Sequence, residues 1–176
     1  MEVKVKIKDP ILRSYLSGLF EKRDGGYAVT MDTFTGSVIC ALTSVIDYPM
    51  KQADDETTVL FYLPKSRYND SFRNRYLYVS PEAEAKINAV LRREFDTNFT
   101  AFVTESRMQG FKLQDIIAIF IVENQMDIFD GDIETLKKRY YRKEIEILKG
   151  FHKKMQLRAY AATKKAKDIM MKNIIL

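Results

Sequence analysis

YLYVSPEAEAKINAVLRREF, residues 76–95, is the stretch in which the chain changes from one kind of structure to another. Its first four residues, Tyr76–Val79, form an aromatic and β-branched run that is typical of a strand. Ser80, Pro81 and Glu82 follow as an N-cap, a proline at the first helical position and an acid in the first turn. We therefore predict a mixed half over residues 1–80 and a helical half over residues 81–176.

The mixed half contains short elements of both kinds. Val3, Val5 and Ile7 alternate with lysines, which predicts a half-buried strand with a lysine-rich outer face. Asp9-Pro10 predicts a helix start, and Asp24-Gly25-Gly26 predicts a turn. The remaining predictions are strands at 27–31, 58–63 and 76–79, loops at 49–57 and 65–74, and a helix, favoured over a strand, at 33–46.

The helical half is predicted to contain three helices. The first begins at Pro81, breaks near Asp96-Thr97-Asn98 and stops before Gly110. The second covers 112–124, and the third begins at Asp132 and contains no proline. Six apolar residues recur along the third helix with helical spacing: Ile133, Leu136, Tyr140, Ile147, Phe151 and Met155. The expected fold is α+β, a single domain over residues 1–176 that ends in a long basic helix.

Charge is distributed very unevenly along the chain. Residues 137–176 contain 13 Lys and Arg against 3 Asp and Glu, and the preceding 136 residues contain 16 against 21. The net charges are therefore +10 and −5. A basic segment attached to an acidic body indicates a polyanionic partner.

The basic helix is the best candidate for nucleic-acid binding. At 100° per residue, the face opposite the apolar residues presents Lys138, Tyr141, Arg142 and Lys149, with Arg139 and Lys143 near its border. Side chains on this face can reach phosphates and base edges. The order of helix, turn and basic helix over 112–149 resembles a helix-turn-helix, although the turn is longer than usual. We therefore favour DNA over RNA. The candidate contact residues are Lys137, Lys138, Arg139, Tyr141, Arg142, Lys143, Lys149 and Lys153.

Other interpretations of the same helix stay open. A face rich in lysine and arginine is often only solvated, and a basic amphipathic helix can also bind a partner protein or an anionic membrane surface. The apolar residues of the helix give the main alternative function, a phage structural, assembly or protein–protein interaction component that packs this helix against a partner or, as a homo-oligomer, against itself. If these side chains are exposed in the monomer, they mark an interface.

Catalysis and metal binding have little support in the sequence. His152 has no orienting partner beside it, and Cys40 lies in an apolar run. The acidic groups Asp54-Asp55-Glu56 and Asp127, Asp130 and Asp132 read more simply as a solvated loop and a helix start than as cation sites. Tyr76 and Tyr78 could stack on bases, but packing against a helix is favoured. We predict no cofactor, no catalytic residue and no membrane partner, and a cytoplasmic location.

Three motifs carry a resemblance. LFYLP at Leu60–Pro64, RYLYVS at Arg75–Ser80 and KKRYYR at Lys137–Arg142 together resemble small proteins of unassigned activity from phages and mobile elements of gut Bacteroidetes. The resemblance is one of layout over most of the chain. It implies a phage or mobile-element origin, and hence the host-cell cytoplasm, and it supplies no activity or site residue.

Overall fold

The structure, a computed structural model, describes residues 1–50, 54–64, 76–127 and 130–174, and on the last helix the side chains of 132–147 and 149–161. It confirms the α+β class, with a small N-terminal sheet followed by a helical half that ends in a long helix. The elements are β1 Glu2–Lys6, α1 Pro10–Leu19, β2 Glu21–Arg23, β3 Gly26–Ala28, α2 Phe34–Leu42, β4 Ser44–Ile46, β5 Thr58–Tyr62, β6 Tyr76–Tyr78, α3 Pro81–Met108, α4 Leu113–Glu123 and α5 Asp130–Ile174.

The larger sheet has four strands in the order β1-β5-β3-β2. β1 and β5 are antiparallel, with Val3 opposite Phe61, whereas β3 lies parallel to β5 with Tyr27 opposite the same Phe61. β2 and β3 form a hairpin whose turn contains Asp24 and Gly25 at positive φ, as the Asp-Gly-Gly sequence predicts. β4 and β6 form a separate antiparallel pair.

Two helix starts follow the predicted capping chemistry. The Asp9 carboxylate accepts a hydrogen bond from the Ile11 backbone N–H at 3.1 Å, and the Ser80 hydroxyl accepts one from the Ala83 N–H at 3.2 Å. Each cap satisfies a backbone donor that the first helical turn leaves unpaired. The apolar face of α1, including Tyr15 and Leu16, is buried as its spacing predicts.

The predicted break in α3 near Asp96-Thr97-Asn98 is wrong. The helix runs unbroken from Pro81 to Met108. Phe95 and Phe99 continue its buried face, and both rings pack against Phe120 of α4, with centroids 6.0 and 5.0 Å away. Burial of this aromatic cluster outweighs the weak helix propensity of three residues.

The predicted helix at 33–46 needs correction at its end. α2 stops at Leu42, and Ser44–Ile46 forms strand β4, so both structures suggested by the β-branched sequence occur in succession. The strand predicted at 27–31 is shorter, covering Gly26–Ala28. The loop predicted at 65–74 lies outside the described residues.

The chain divides into two compact units, Met1–Ile133 and Glu134–Leu176. The first contains both sheets and α1 to α4. The second consists of α5 from Glu134 onward, which carries the predicted contact residues. α4 and α5 follow each other across residues 124–129, a longer connection than the three or four residues of a usual helix-turn-helix.

Candidate nucleic-acid interface

α5 gives its side chains a regular frame. It has 45 residues, which at 1.5 Å per residue makes it about 67 Å long. Beyond its first turn it contains no proline and one glycine, Gly150, and a Cβ added there would meet no atom within 4 Å. The direction of each described side chain therefore follows from its position at 100° per residue.

Four exposed cations lie on one side of this helix and form what we call the basic stripe: Lys138, Arg142, Lys149 and Lys153. Their spacing places them within a sector of about 60° and over about 22 Å of the helix axis. Among the described residues, Arg142, Lys149 and Lys153 have no carboxylate within ion-pair distance. These four cations therefore share one exposed face, and most of their charge is uncompensated. The other described cations of the helix point in other directions: Lys137, Arg139, Lys143, Lys154 and Arg158.

Two predicted contact residues are paired within the helix. Lys137 donates a hydrogen bond of 2.6 Å to Glu134, and this bond lowers the pKa of the Glu134 carboxyl group. Lys143 lies 3.8 Å from Glu146. Exposed pairs of this kind contribute little to stability because water and salt screen them, so a stronger anion can displace them. Both lysines point away from the basic stripe.

The remaining two predicted residues lie beside the stripe. Arg139 is half-buried and points about 70° from the centre of the stripe, whereas Arg142 is exposed within it. Tyr141 is exposed, and its ring packs in a T-shaped arrangement with the buried Tyr140 ring, with centroids 5.8 Å apart. Of the two arginines among the predicted contact residues, only Arg142 therefore lies in the same sector as the other cations.

Sequence reasoning missed Tyr160. Its side chain is 72% exposed, and it falls within the 60° sector of the basic stripe, one heptad beyond Lys153. An exposed tyrosine beside cations can hydrogen-bond a phosphate or stack on a base. The seven-residue spacing from Lys153 is the signal that could have identified it.

The apolar residues of α5 divide into a buried and an exposed group. Leu136 and Tyr140 are buried, whereas Ile147, Phe151 and Met155 are 55%, 63% and 48% exposed. We call the exposed group the apolar stripe. It lies on the side of the helix opposite the basic stripe, with about 170° between the two centres. Exposure of this group is the condition under which the sequence predicts an interface.

The first unit contains a cleft of about 920 Å³ between β1, the start of α3 and the Asp55 loop. Its charges are balanced by mutual contacts. Asp54 and Asp55 pair with Lys4 and Lys6 at 2.5 and 2.8 Å, and the Lys6 hydrogen bond lowers the pKa of Asp55. Glu84 accepts a hydrogen bond from the Lys6 backbone N–H. The acidic loop therefore neutralises the lysine-rich face of β1.

The other chemistry-bearing residues form no catalytic arrangement in the part of the chain that the structure describes. His152 is exposed and lies 2.9 Å from the Gln156 amide. Burial raises the pKa of the half-buried Cys40 thiol, which disfavours the nucleophilic thiolate. Asp127 pairs with Lys22 at 3.2 Å, and the described residues include no cluster of metal-ligating side chains.

No family model, no curated protein and no solved structure matches this chain. Among the described helices, none is both long and apolar enough to cross a bilayer.

Proposed function

We propose that this protein binds nucleic acid, duplex DNA in particular, through the basic stripe of α5, and that it acts as a non-catalytic regulatory or architectural protein. The observation that carries the proposal is the clustering of Lys138, Arg142, Lys149 and Lys153 in one exposed sector. Four cations on one face can neutralise phosphates of one duplex together, and each neutralised phosphate releases condensed counterions.

DNA is favoured over RNA by two features. The order of α4, a connection longer than the usual turn, and basic α5 resembles a helix-turn-helix, and an α-helix fits the major groove of B-form DNA. The major groove of A-form RNA is too narrow for such a helix. The predicted origin in a phage or mobile element rests on the three motifs quoted above, and it places the protein in the host-cell cytoplasm.

A charge-reversal experiment tests the site. Lys138→Glu, Arg142→Glu and Lys149→Glu are introduced together, and binding to a fluorescent duplex is measured by anisotropy. We expect binding to be abolished while the helical circular dichroism is retained. Labelled single-stranded DNA and double-stranded RNA of the same length are measured in parallel to test the preference for duplex DNA.

A matched control separates the stripe from net charge. Lys86, Arg93 and Lys112 are exposed cations of the first unit, and their reversal to Glu changes the net charge of the chain by the same amount. This control is expected to weaken binding only slightly. If the two triple variants bind equally well, the basic stripe is not the nucleic-acid interface.

A second candidate function is an assembly or interaction component that uses α5. The exposure of Ile147, Phe151 and Met155 favours it, because apolar side chains grouped at helical spacing are a common form of protein interface. Light scattering with and without DNA distinguishes the two functions. A large homo-oligomer that ignores DNA would support assembly in place of nucleic-acid binding.

A further inference from the structure

The apolar stripe of α5 is flanked by two opposite charges in the same sector of the helix. Glu144 precedes Ile147, and Arg158 follows Met155. At 100° per residue these two charges and the three apolar residues fall within a sector of about 80°. Among the described residues, neither Glu144 nor Arg158 has an ion-pair partner. A partner for this face must therefore cover three apolar side chains and match one acid and one base.

The order of these five residues is symmetric about Phe151. Apolar side chains lie four residues before it and four after it, at Ile147 and Met155. The acid lies seven residues before it and the base seven residues after it. Reversing the order exchanges the acid with the base and leaves the apolar positions apolar. The surface is therefore complementary to a second copy of itself across a two-fold axis.

We propose that α5 pairs with α5 of a second copy of this chain, antiparallel, with the two-fold axis at Phe151. In this arrangement the two Phe151 rings meet, and Ile147 of each chain faces Met155 of the other. Glu144 of each chain faces Arg158 of the other, which gives two ion pairs. A parallel pair in the same register would instead place Glu144 against Glu144 and Arg158 against Arg158, which is repulsive.

The positions of the cations permit this pairing. The basic stripe lies about 170° around the helix from the apolar stripe, so it faces outward from the pair. The contact extends over about 21 Å of each helix, which belongs to the small, weak class of interfaces. The net charge of +10 over residues 137–176 also opposes association, so we expect a salt-strengthened dimer with a micromolar dissociation constant.

An anionic membrane surface is the main competing occupant, because a basic helix with one apolar face can lie in a bilayer interface. One residue of the apolar sector disfavours membrane binding. Glu144 lies within the apolar sector, where an anionic bilayer would repel and desolvate it, whereas a second copy offers it Arg158.

Sedimentation velocity of the full chain in the absence of DNA, at 150 and 500 mM salt, tests the proposal. We expect a monomer–dimer equilibrium in the micromolar range for the natural sequence. Glu144→Arg alone and Arg158→Glu alone are each expected to shift the equilibrium to monomer, and the double swap to restore the dimer. A chain that stays monomeric up to about 200 µM, or a swap that fails to restore association, would overturn the proposal.

Cysteine cross-linking tests the direction of the pair. In a Cys40→Ser background, Phe151→Cys is expected to form an intermolecular disulfide, because the two residues meet at the axis. Ile147→Cys is not expected to form one, because the two cysteines would be offset by about 12 Å along the antiparallel helices, which is too far for a disulfide. Equal cross-linking of both variants would indicate a parallel pair, and monomers that bind anionic vesicles would indicate the membrane. Either result refutes the antiparallel dimer.

Discussion

The salt dependence of DNA binding reports directly on how many cations contact phosphates. For B-form DNA the slope of log affinity against log salt is about −0.9 for each phosphate neutralised. The four cations of the basic stripe therefore contribute a slope of about −3.6, which corresponds to about a 150-fold loss of affinity between 50 and 200 mM salt.

Neutral substitutions make this count testable. Lys138→Gln, Arg142→Gln and Lys149→Gln together remove three contacts without adding negative charge. The slope is expected to become less steep by about 2.7. The loss of duplex affinity between 50 and 200 mM salt should therefore be about 40 times smaller for the variant than for the natural chain. The measurement is a titration of a labelled duplex by fluorescence anisotropy at five or six salt concentrations.

Lys143→Gln is the control for this series. Lys143 lies on the same helix and carries the same charge, but it points away from the basic stripe and is paired with Glu146. Its substitution is expected to change the slope by much less than 0.9. The reasoning is refuted if the triple variant keeps the slope of the natural chain, or if Lys143→Gln changes the slope as much as a stripe residue does.

Three further outcomes are expected. Tyr160→Ala should weaken duplex binding about fivefold, the value of one hydrogen bond of about 1 kcal/mol, with the salt slope unchanged because no charge is lost; a changed slope would contradict this. Gly36→Ala should lower the melting temperature, because a Cβ there would lie 1.9 Å from the Thr30 carbonyl oxygen. Gly150→Ala should instead raise the helix content of α5, because no atom lies within 4 Å of its Cβ and alanine is favoured over glycine in a helix by about 1 kcal/mol. If both substitutions change the melting temperature and the helix content equally, this packing is wrong. If the antiparallel pair and the DNA contact both exist, a dimer bound to an immobilised duplex should also bind a second duplex from solution. Glu144→Arg should abolish binding of the second duplex while binding to the immobilised duplex persists. If this monomeric variant still joins two duplexes, the antiparallel pair is not the cause of the joining.

The candidate site shows where sequence patterns are sufficient. The direction of a side chain on a long helix depends only on its position in the sequence, so the grouping of Lys138, Arg142 and Lys149 could be predicted without a structure. The pairing of Lys137 with Glu134 and of Lys143 with Glu146 is also local, at a spacing of three residues, so the sequence alone is sufficient to predict it.

The exposure of the apolar residues could not be predicted in the same way. Periodicity assigns Leu136, Tyr140, Ile147 and Phe151 to one face of α5, but it does not say how much of that face is covered. The structure buries the first two and exposes the last two. The spacing of Tyr160 from Lys153 predicts its direction on the helix, but only the structure shows that its side chain is exposed.

By itself, the sequence determined the features that depend on near neighbours in the chain. These are the capped helix starts at Asp9 and Ser80, the Asp-Gly turn, the alternation of β1, and the long basic helix with its charged face. Tertiary structure decided the features that depend on distant contacts. α3 continues through Asp96–Asn98 because Phe95 and Phe99 pack against Phe120 of another helix, and β4 forms because Ser44–Ile46 finds a partner in β6. Hydrogen bonds and buried area contributed by distant residues outweigh local propensity, and no window of sequence contains them.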